Sequence, residues 1–160
     1  MKRIILVSLL ALAFVACQQD GASSWPELDL MDRGFPITVK APDSATVKVV
    51  DNSFLKDITI DSPDENYHIQ IYASDAETDD SAIIKSDLIL DVRRNPYFSK
   101  IMEEDERGFV YELTIDSTNY YSFRHIHVQG DLEFIFETGL AHTFNLEEAK
   151  VLRQAVRQAE

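Results

Sequence analysis

Two histidines separated by one residue are the strongest candidates for chemistry in this chain. His125 and His127 fall inside an alternating stretch, 120–129, that predicts a β-strand. Residues two apart on a strand point to the same face, so both imidazoles can approach one metal ion such as zinc or copper. Such a site needs a third ligand, which His68, His142 or a carboxylate would have to supply. The alternative, that both are amphipathic residues of a half-exposed strand, is the one the sequence favours.

Other patterns that could support chemistry are weaker. The run 75–80 spaces oxygen atoms as a calcium loop does, but Asp80 and Ser86 stand where an EF-hand has glycine and glutamate. A solvated helix start is the better interpretation. The chain has no Gly-x-Ser-x-Gly elbow and no phosphate-binding glycine loop, so neither an enzyme nor a cofactor is predicted. A glycosidase-like pair of carboxylates stays open as a third possibility.

The one cysteine follows an N-terminal apolar segment. Lys2 and Arg3 precede the apolar run 4–13, which is the pattern of a secretory signal. The run is shorter than the roughly 18 to 20 residues that cross a bilayer, which argues against a transmembrane helix. Cleavage before Cys17 would remove residues 1–16 as the signal peptide.

Phe14-Val15-Ala16-Cys17 resembles the lipobox of bacterial lipoproteins, with Phe14 where leucine is usual. In that family the cysteine is lipidated on sulfur, and the new amino terminus is acylated after cleavage. The resemblance therefore implies fatty acids such as palmitate on Cys17, attachment to a lipid bilayer, and a place in the cell envelope. Gln18 after the cysteine implies the outer membrane, if the host has one. The alternatives are cleavage after Ala13, which leaves Cys17 a free thiol, or a hydrophobic tail of no consequence.

Residues 17–30 have the composition of a flexible tether, with glycine, serines and Pro26. Trp25 breaks this pattern and would either dock on the folded body or lie at the membrane interface, and docking is favoured. The remaining residues, 31–160, are enough for a single domain with a proper core.

The chain is strongly acidic. It carries 28 acidic against 15 basic side chains, for a net charge of −13 at pH 7. Such a body is repelled by phosphate polyanions, which disfavours nucleic acid as a partner. Because Cys17 is the only cysteine, an intramolecular disulfide is impossible and packing must supply the stability.

Alternating apolar residues predict two groups of strands. The predicted strands are 35–40, 46–49, 54–60 and 67–71, then 98–104, 109–115, 120–129 and 132–138. The tight turns between the later strands predict an antiparallel meander.

Two stretches change to a helical period. In 79–94, apolar residues lie four apart after an N-cap at Asp79 or Asp80. In 146–159, an apolar stripe follows Asn145 and Glu148, whose spacing predicts a capping box.

This order predicts an α+β fold: a single domain with a mostly antiparallel sheet of about seven to eight strands covered by two helices. The order, and the approach Phe144 to Ala149 into the last helix, resembles the PsbP-like α/β/α sandwich of thylakoid-lumen and bacterial envelope lipoproteins. That resemblance implies a fold and assigns no catalytic residue.

The function predicted from these observations is a membrane-anchored, non-enzymatic interaction or assembly module with an envelope protein as partner. The alternative is a small-ligand or metal carrier that uses the sheet face around His125 and His127. A third ligand beside those histidines would favour the carrier.

Overall fold

The computed structural model describes residues 21–51, 56–139 and 142–157. The predicted signal, 1–16, and the lipobox cysteine Cys17 lie outside these residues, as does Phe54 of the third predicted strand. None of the helices in the described ranges is long and apolar enough to cross a membrane.

The described part of the predicted tether, residues 21–30, is folded against the body. It forms α1 (Gly21–Ser24) and β1 (Glu27–Asp29), and β1 pairs antiparallel with β2 (Thr38–Lys40) in a small two-stranded sheet. Trp25 sets its ring edge-on against Tyr67, with centroids 5.0 Å apart. The docking predicted for Trp25 is therefore observed.

The main sheet of the described residues has seven antiparallel strands in the order β3-β4-β5-β9-β8-β7-β6. The strands are β3 (Thr46–Asp51), β4 (Lys56–Ser62), β5 (Tyr67–Asp75), β6 (Phe98–Asp105), β7 (Gly108–Ile115), β8 (Thr118–Gln129) and β9 (Leu132–Glu137). The predicted meander is present from β6 to β9, and β5 joins it to the first half of the chain through β9. The predicted first strand is shorter than expected, because only 38–40 pairs, in the small sheet.

Two longer helices begin at the predicted caps. In α2 (Ser81–Arg94), the Asp80 side chain accepts a hydrogen bond from the Ala82 amide at 2.9 Å. In α3 (Leu146–Val156), Asn145 and Glu148 form the predicted capping box. Arg93 and Arg94 end α2, where positive charge offsets the negative end of the helix dipole.

The helices cover opposite faces of the sheet. On one face, α3 packs with the large apolar cluster that includes Ile60, Ile69 and Phe136. On the other face, Val92 of α2 packs with Phe109 and its neighbours on the β6 to β7 side. The fold is thus broadly α+β and mostly sheet, with one helix layer on each side.

Candidate metal centre

His125 and His127 share a face of β8, as their spacing predicts. The His125 ring lies 5.9 Å from the ring of Phe136, and the His127 ring lies 6.1 Å from that of Phe134. These phenylalanines are their partners on β9 and belong to the core under α3. His125 is only 3% exposed, whereas His127 is half-buried, so the half-exposed interpretation fits His127 and not His125.

A different set of side chains comes together as a metal centre would require. Within the part of the chain that the structure describes, Asp61, His68 and His142 form the group of three donors close enough to hold one ion, and their ligand atoms lie within 4.8 Å of one another. His125 and His127 do not belong to this group. The two histidines proposed from the sequence as third ligands thus meet each other, and a metal at His125 and His127 stays a prediction.

Asp61 and His68 are brought together by a hairpin. They are register partners across β4 and β5, on either side of a 3-10 turn at Pro63–Glu65. The turn ends at Asn66, whose φ of 48° is the left-handed conformation that asparagine tolerates better than most residues. Directly opposite residues of an antiparallel pair share a face, so the carboxylate and the imidazole meet.

Parity along the strands fixes which face they occupy. Ile60 and Ile69 point into the core under α3, so their neighbours Asp61 and His68 point to the other side of the sheet. On that side, α2 packs against the β6 to β8 part of the sheet. The donor cluster therefore lies on the face of α2 but at the opposite end of the strand order.

Gly139 allows the ring of His68 to take its place. A Cβ added at Gly139 would overlap both Nε2 and Cδ2 of His68. Absence of a side chain at this position is therefore a steric condition for the cluster. The contact also leaves Nδ1 of His68 as the nitrogen directed at Asp61, from which it lies 2.7 Å.

His142 completes the group from the segment that follows β9. Its ring stacks on His68, with centroids 5.0 Å apart, and on Phe144, with centroids 6.1 Å apart. Phe144 is 3% exposed and anchored in the large core. The stack between a fixed phenylalanine and His68 positions the His142 ring, whose Nε2 lies 3.1 Å from Asp61 Oδ1.

The spacing of the donor atoms is close to that of a zinc site. Tetrahedral zinc with bonds of about 2.0 to 2.1 Å places its ligand atoms roughly 3.3 Å apart. The nitrogens of His68 and His142 lie 2.7 and 3.1 Å from the same oxygen of Asp61. An ion would therefore require the His68 nitrogen to move away from Asp61 by about 0.6 Å and the His142 nitrogen by about 0.2 Å.

The cluster is sheltered but open on one side. The side chains of His68 and His142 are 10% and 18% exposed, and that of Asp61 is 30% exposed. Without an ion, Asp61 Oδ1 can accept hydrogen bonds from both rings. With an ion, two imidazoles and one carboxylate leave a fourth position of a tetrahedron for water or an exogenous donor.

Asp61 was missed at the level of sequence, although a signal for it exists. Asp61 lies three residues before the centre of the predicted turn at 62–66 and His68 four residues after it, so the sequence places them near each other without fixing their register. His142 has no such local signal. Its place depends on the path of the chain after β9.

The acidic run 75–80 connects β5 to α2, and the helix start that its better interpretation predicted is at Asp80. Asp75 ends β5, and Asp80 caps α2. None of its residues belongs to the donor group found in the described ranges.

Comparison with known proteins finds a distantly similar structure and no matching family. No family model and no curated protein matches the chain. A solved structure from Bacteroides thetaiotaomicron VPI-5482 is similar at 14% identity with a TM-score of 0.40, over 74% of this chain and 43% of that one. The chain thus spans less than half of that protein, and so distant a likeness carries no argument about function.

Proposed function

We propose that this chain is a lipid-anchored envelope protein whose body binds a divalent transition metal, zinc or copper, through Asp61, His68 and His142. The observation that carries the metal-binding part is the convergence of these three donors within 4.8 Å. The anchor at Cys17 rests on the lipobox-like sequence alone.

The donor set selects the kind of ion. Two imidazole nitrogens suit zinc and copper, whereas calcium and magnesium take oxygen ligands almost exclusively. One carboxylate offsets half of the charge of a divalent ion and provides a hard third ligand. Copper(II) is expected to bind more tightly than zinc to such a nitrogen and oxygen site.

The open coordination position suits a carrier. An ion held by three protein ligands can accept a fourth from another molecule and be transferred by ligand exchange. The chain has no nucleophile motif, so we infer that the body binds and presents the ion without catalysing a reaction. The PsbP-like class of the body, inferred from the order of elements, is part of the same proposal.

Metal titration of the whole chain tests this function. The protein is purified in detergent with a tag free of histidine, stripped with a chelator, and titrated with Zn²⁺ or Cu²⁺ by calorimetry. We expect one ion per chain, and a loss of about 100-fold or more in affinity for His68→Gln and for His142→Gln. His127→Gln is the matched control and should bind as the parent does. Absence of saturable binding, or equal loss in the control, would reject the site.

The anchor is tested separately. Mass spectrometry of the protein from membranes should show a chain that begins at a diacylated or triacylated Cys17, and Cys17→Ser should be found unlabelled by fatty acid and released from the membrane. An intact Met1, or an unmodified Cys17 thiol, would reject the anchor and leave the metal site untouched.

A second candidate function is the interaction module predicted from the sequence. Ile83, Leu90 and Tyr97 are each more than half exposed, and Ile83 and Leu90 lie two turns apart on the same side of α2. Large apolar side chains in this position can contact a partner protein. Crosslinking in cells followed by purification should recover a partner that the Ile83→Ser, Leu90→Ser double variant loses, and an unchanged pattern would exclude this surface.

A further inference from the structure

A polar cleft lies on the face of the sheet under α3, away from the metal centre. Its volume is about 330 Å³, and it opens between the β6 to β7 turn and the end of α3. The residues that line it are Asp105, Glu106, Arg107, His125 and Arg157.

Guanidinium groups dominate the charge around this cleft. Arg107 and Arg157 line it, and Arg153 lies just behind them, where it is 5% exposed and contacts Asp105 at 2.5 Å. Arg157 reaches the same carboxylate at 3.5 Å. Three guanidinium groups and two carboxylates, those of Asp105 and Glu106, thus surround the cleft. The cleft has an excess of positive charge, although the net charge of the whole chain is −13.

His125 lines the cleft and has an unused polar atom. The residue is 3% exposed, and its Nδ1 has no hydrogen-bond partner among the residues that the structure describes. Burying a polar nitrogen without a hydrogen-bond partner costs free energy, which a ligand that accepts its hydrogen bond would recover. Arg153 Nε is a second buried donor without a partner in the same set of residues.

The backbone fixes His125 in this position. Gly108 of β7 is its register partner on β8. A Cβ at Gly108 would overlap the carbonyl oxygen of Arg124 and press on the Cα of His125. The two strands therefore approach closely here, which holds this part of β8 and the imidazole of His125 against the turn that carries Arg107.

The charge state of His125 decides what Nδ1 can do. Burial, and to a smaller extent the nearby guanidinium groups, lowers the pKa of His125 to about 3. The ring is neutral at physiological pH and can carry its single proton on Nδ1, where it donates to an oxygen. The same guanidinium groups repel a metal cation at this nitrogen.

We propose that this cleft binds a small oxyanion, with His125 Nδ1 donating a hydrogen bond to it and Arg157 and Arg107 supplying positive charge. Arginine recognises phosphate and carboxylate oxygens through paired N–H groups. Of the two arginines paired with Asp105, Arg157 is the freer to turn towards an anion, because its side chain is 54% exposed. Arg153 stays paired with Asp105 and forms the positive floor. The site is independent of the metal centre on the opposite face.

Inorganic phosphate is the first probe. The metal-free whole chain in detergent is labelled with ¹⁵N and titrated with phosphate, acetate and, at matched ionic strength, chloride, while the imidazole nitrogens of His125 are followed by NMR. We expect saturable shifts of His125 with phosphate or acetate and none with chloride. Saturation with phosphate alone identifies a phosphate ligand, and saturation with acetate alone identifies a carboxylate.

Two variants test whether the binding belongs to this cleft. Arg157→Gln should weaken the binding of the effective anion about tenfold, which is the loss of one charge-assisted hydrogen bond. Arg93→Gln removes an exposed arginine at the end of α2 and should change nothing. No saturable shift with either oxyanion, or an equal effect of both variants, would overturn the proposal.

Discussion

The sheet has two regions with a buried histidine, and the charges that surround the imidazole have opposite signs in the two. At the hairpin of β4 and β5, His68 lies 2.7 Å from the carboxylate of Asp61. On β8, under α3, His125 lies among guanidinium groups and has its Nδ1 unpaired within the described ranges. The first surrounding attracts a cation and the second attracts an anion.

This difference shows that histidine alone predicts no ligand. The two histidines of β8 were the obvious metal candidates, since their spacing places both on one face. What decides the chemistry is the charge that tertiary structure places around each ring. Three tests separate the two regions, and they are ordered here by the size of the expected effect.

The largest effect is expected in how the free energy of unfolding depends on pH, through the protonation of His125. Its pKa is about 3 in the folded protein against an ordinary 6.5. Below about pH 6.5 the unfolded chain takes up a proton that the folded chain does not, so stability falls as the pH falls towards 3. Between pH 7 and pH 4 the group should remove at most about 3 kcal/mol from the free energy of unfolding.

Chemical denaturation at both pH values measures this contribution. His125→Gln should flatten the dependence on pH, whatever it does to the stability at pH 7. His127→Gln, two residues along the same strand, should keep the slope of the parent. Equal slopes in all three proteins would mean that the His125 ring is protonated in the folded state as easily as in the unfolded chain.

The next effect separates cation from anion binding by removing one carboxylate from each region. Asp61→Asn takes away the charged ligand and should lower zinc affinity about 100-fold, with phosphate binding unchanged. Glu106→Gln removes a negative charge that lines the cleft and should raise phosphate affinity about two- to threefold, with zinc binding unchanged. Calorimetry with zinc and with phosphate on both variants checks this. A change in phosphate affinity in Asp61→Asn, or in zinc affinity in Glu106→Gln, would contradict the separation of the two regions.

The smallest effect concerns a contact that only positions a ring. Gly139→Ala forces the His68 ring away from its place and should lower zinc affinity about tenfold. Gly130→Ala is a suitable control, because a Cβ there meets nothing within 4 Å and the cost, about 1 kcal/mol, is conformational at a φ of 61°. Zinc affinity unchanged by Gly139→Ala would show that the ring position is not required.

Much of the fold could be predicted from local patterns. The starts of α2 and α3 are encoded by caps, and the strands from β3 to β9 follow the alternation of apolar residues. β1 and its pairing with β2 were not predicted, because residues 21–30 have the composition of a tether. Their order depends on pairing with β2 and on the Trp25 contact with Tyr67, which are tertiary interactions.

The candidate site was predictable only in part. His68 and His142 were named as possible third ligands for a metal at His125 and His127, whereas the structure brings them together with Asp61. Asp61 opposite His68 follows from the hairpin, whereas the arrival of His142 depends on the packing of Phe144. The unpaired Nδ1 of His125 has no local signal, since it results from how α3 and the β6 to β7 turn meet over β8.

The docking of Trp25 limits how far the folded body can lie from a lipid attached to Cys17. Because Gly21 already belongs to the folded body, a fatty-acylated Cys17 would be joined to it by only four chain steps, which reach at most about 14 Å. The body would then lie close to the bilayer with α1 nearest to the headgroups, and a chain with a net charge of −13 would begin within roughly two Debye lengths of them. The orientation of the body at the membrane would then determine which of the two proposed ion-binding faces a neighbouring molecule can reach.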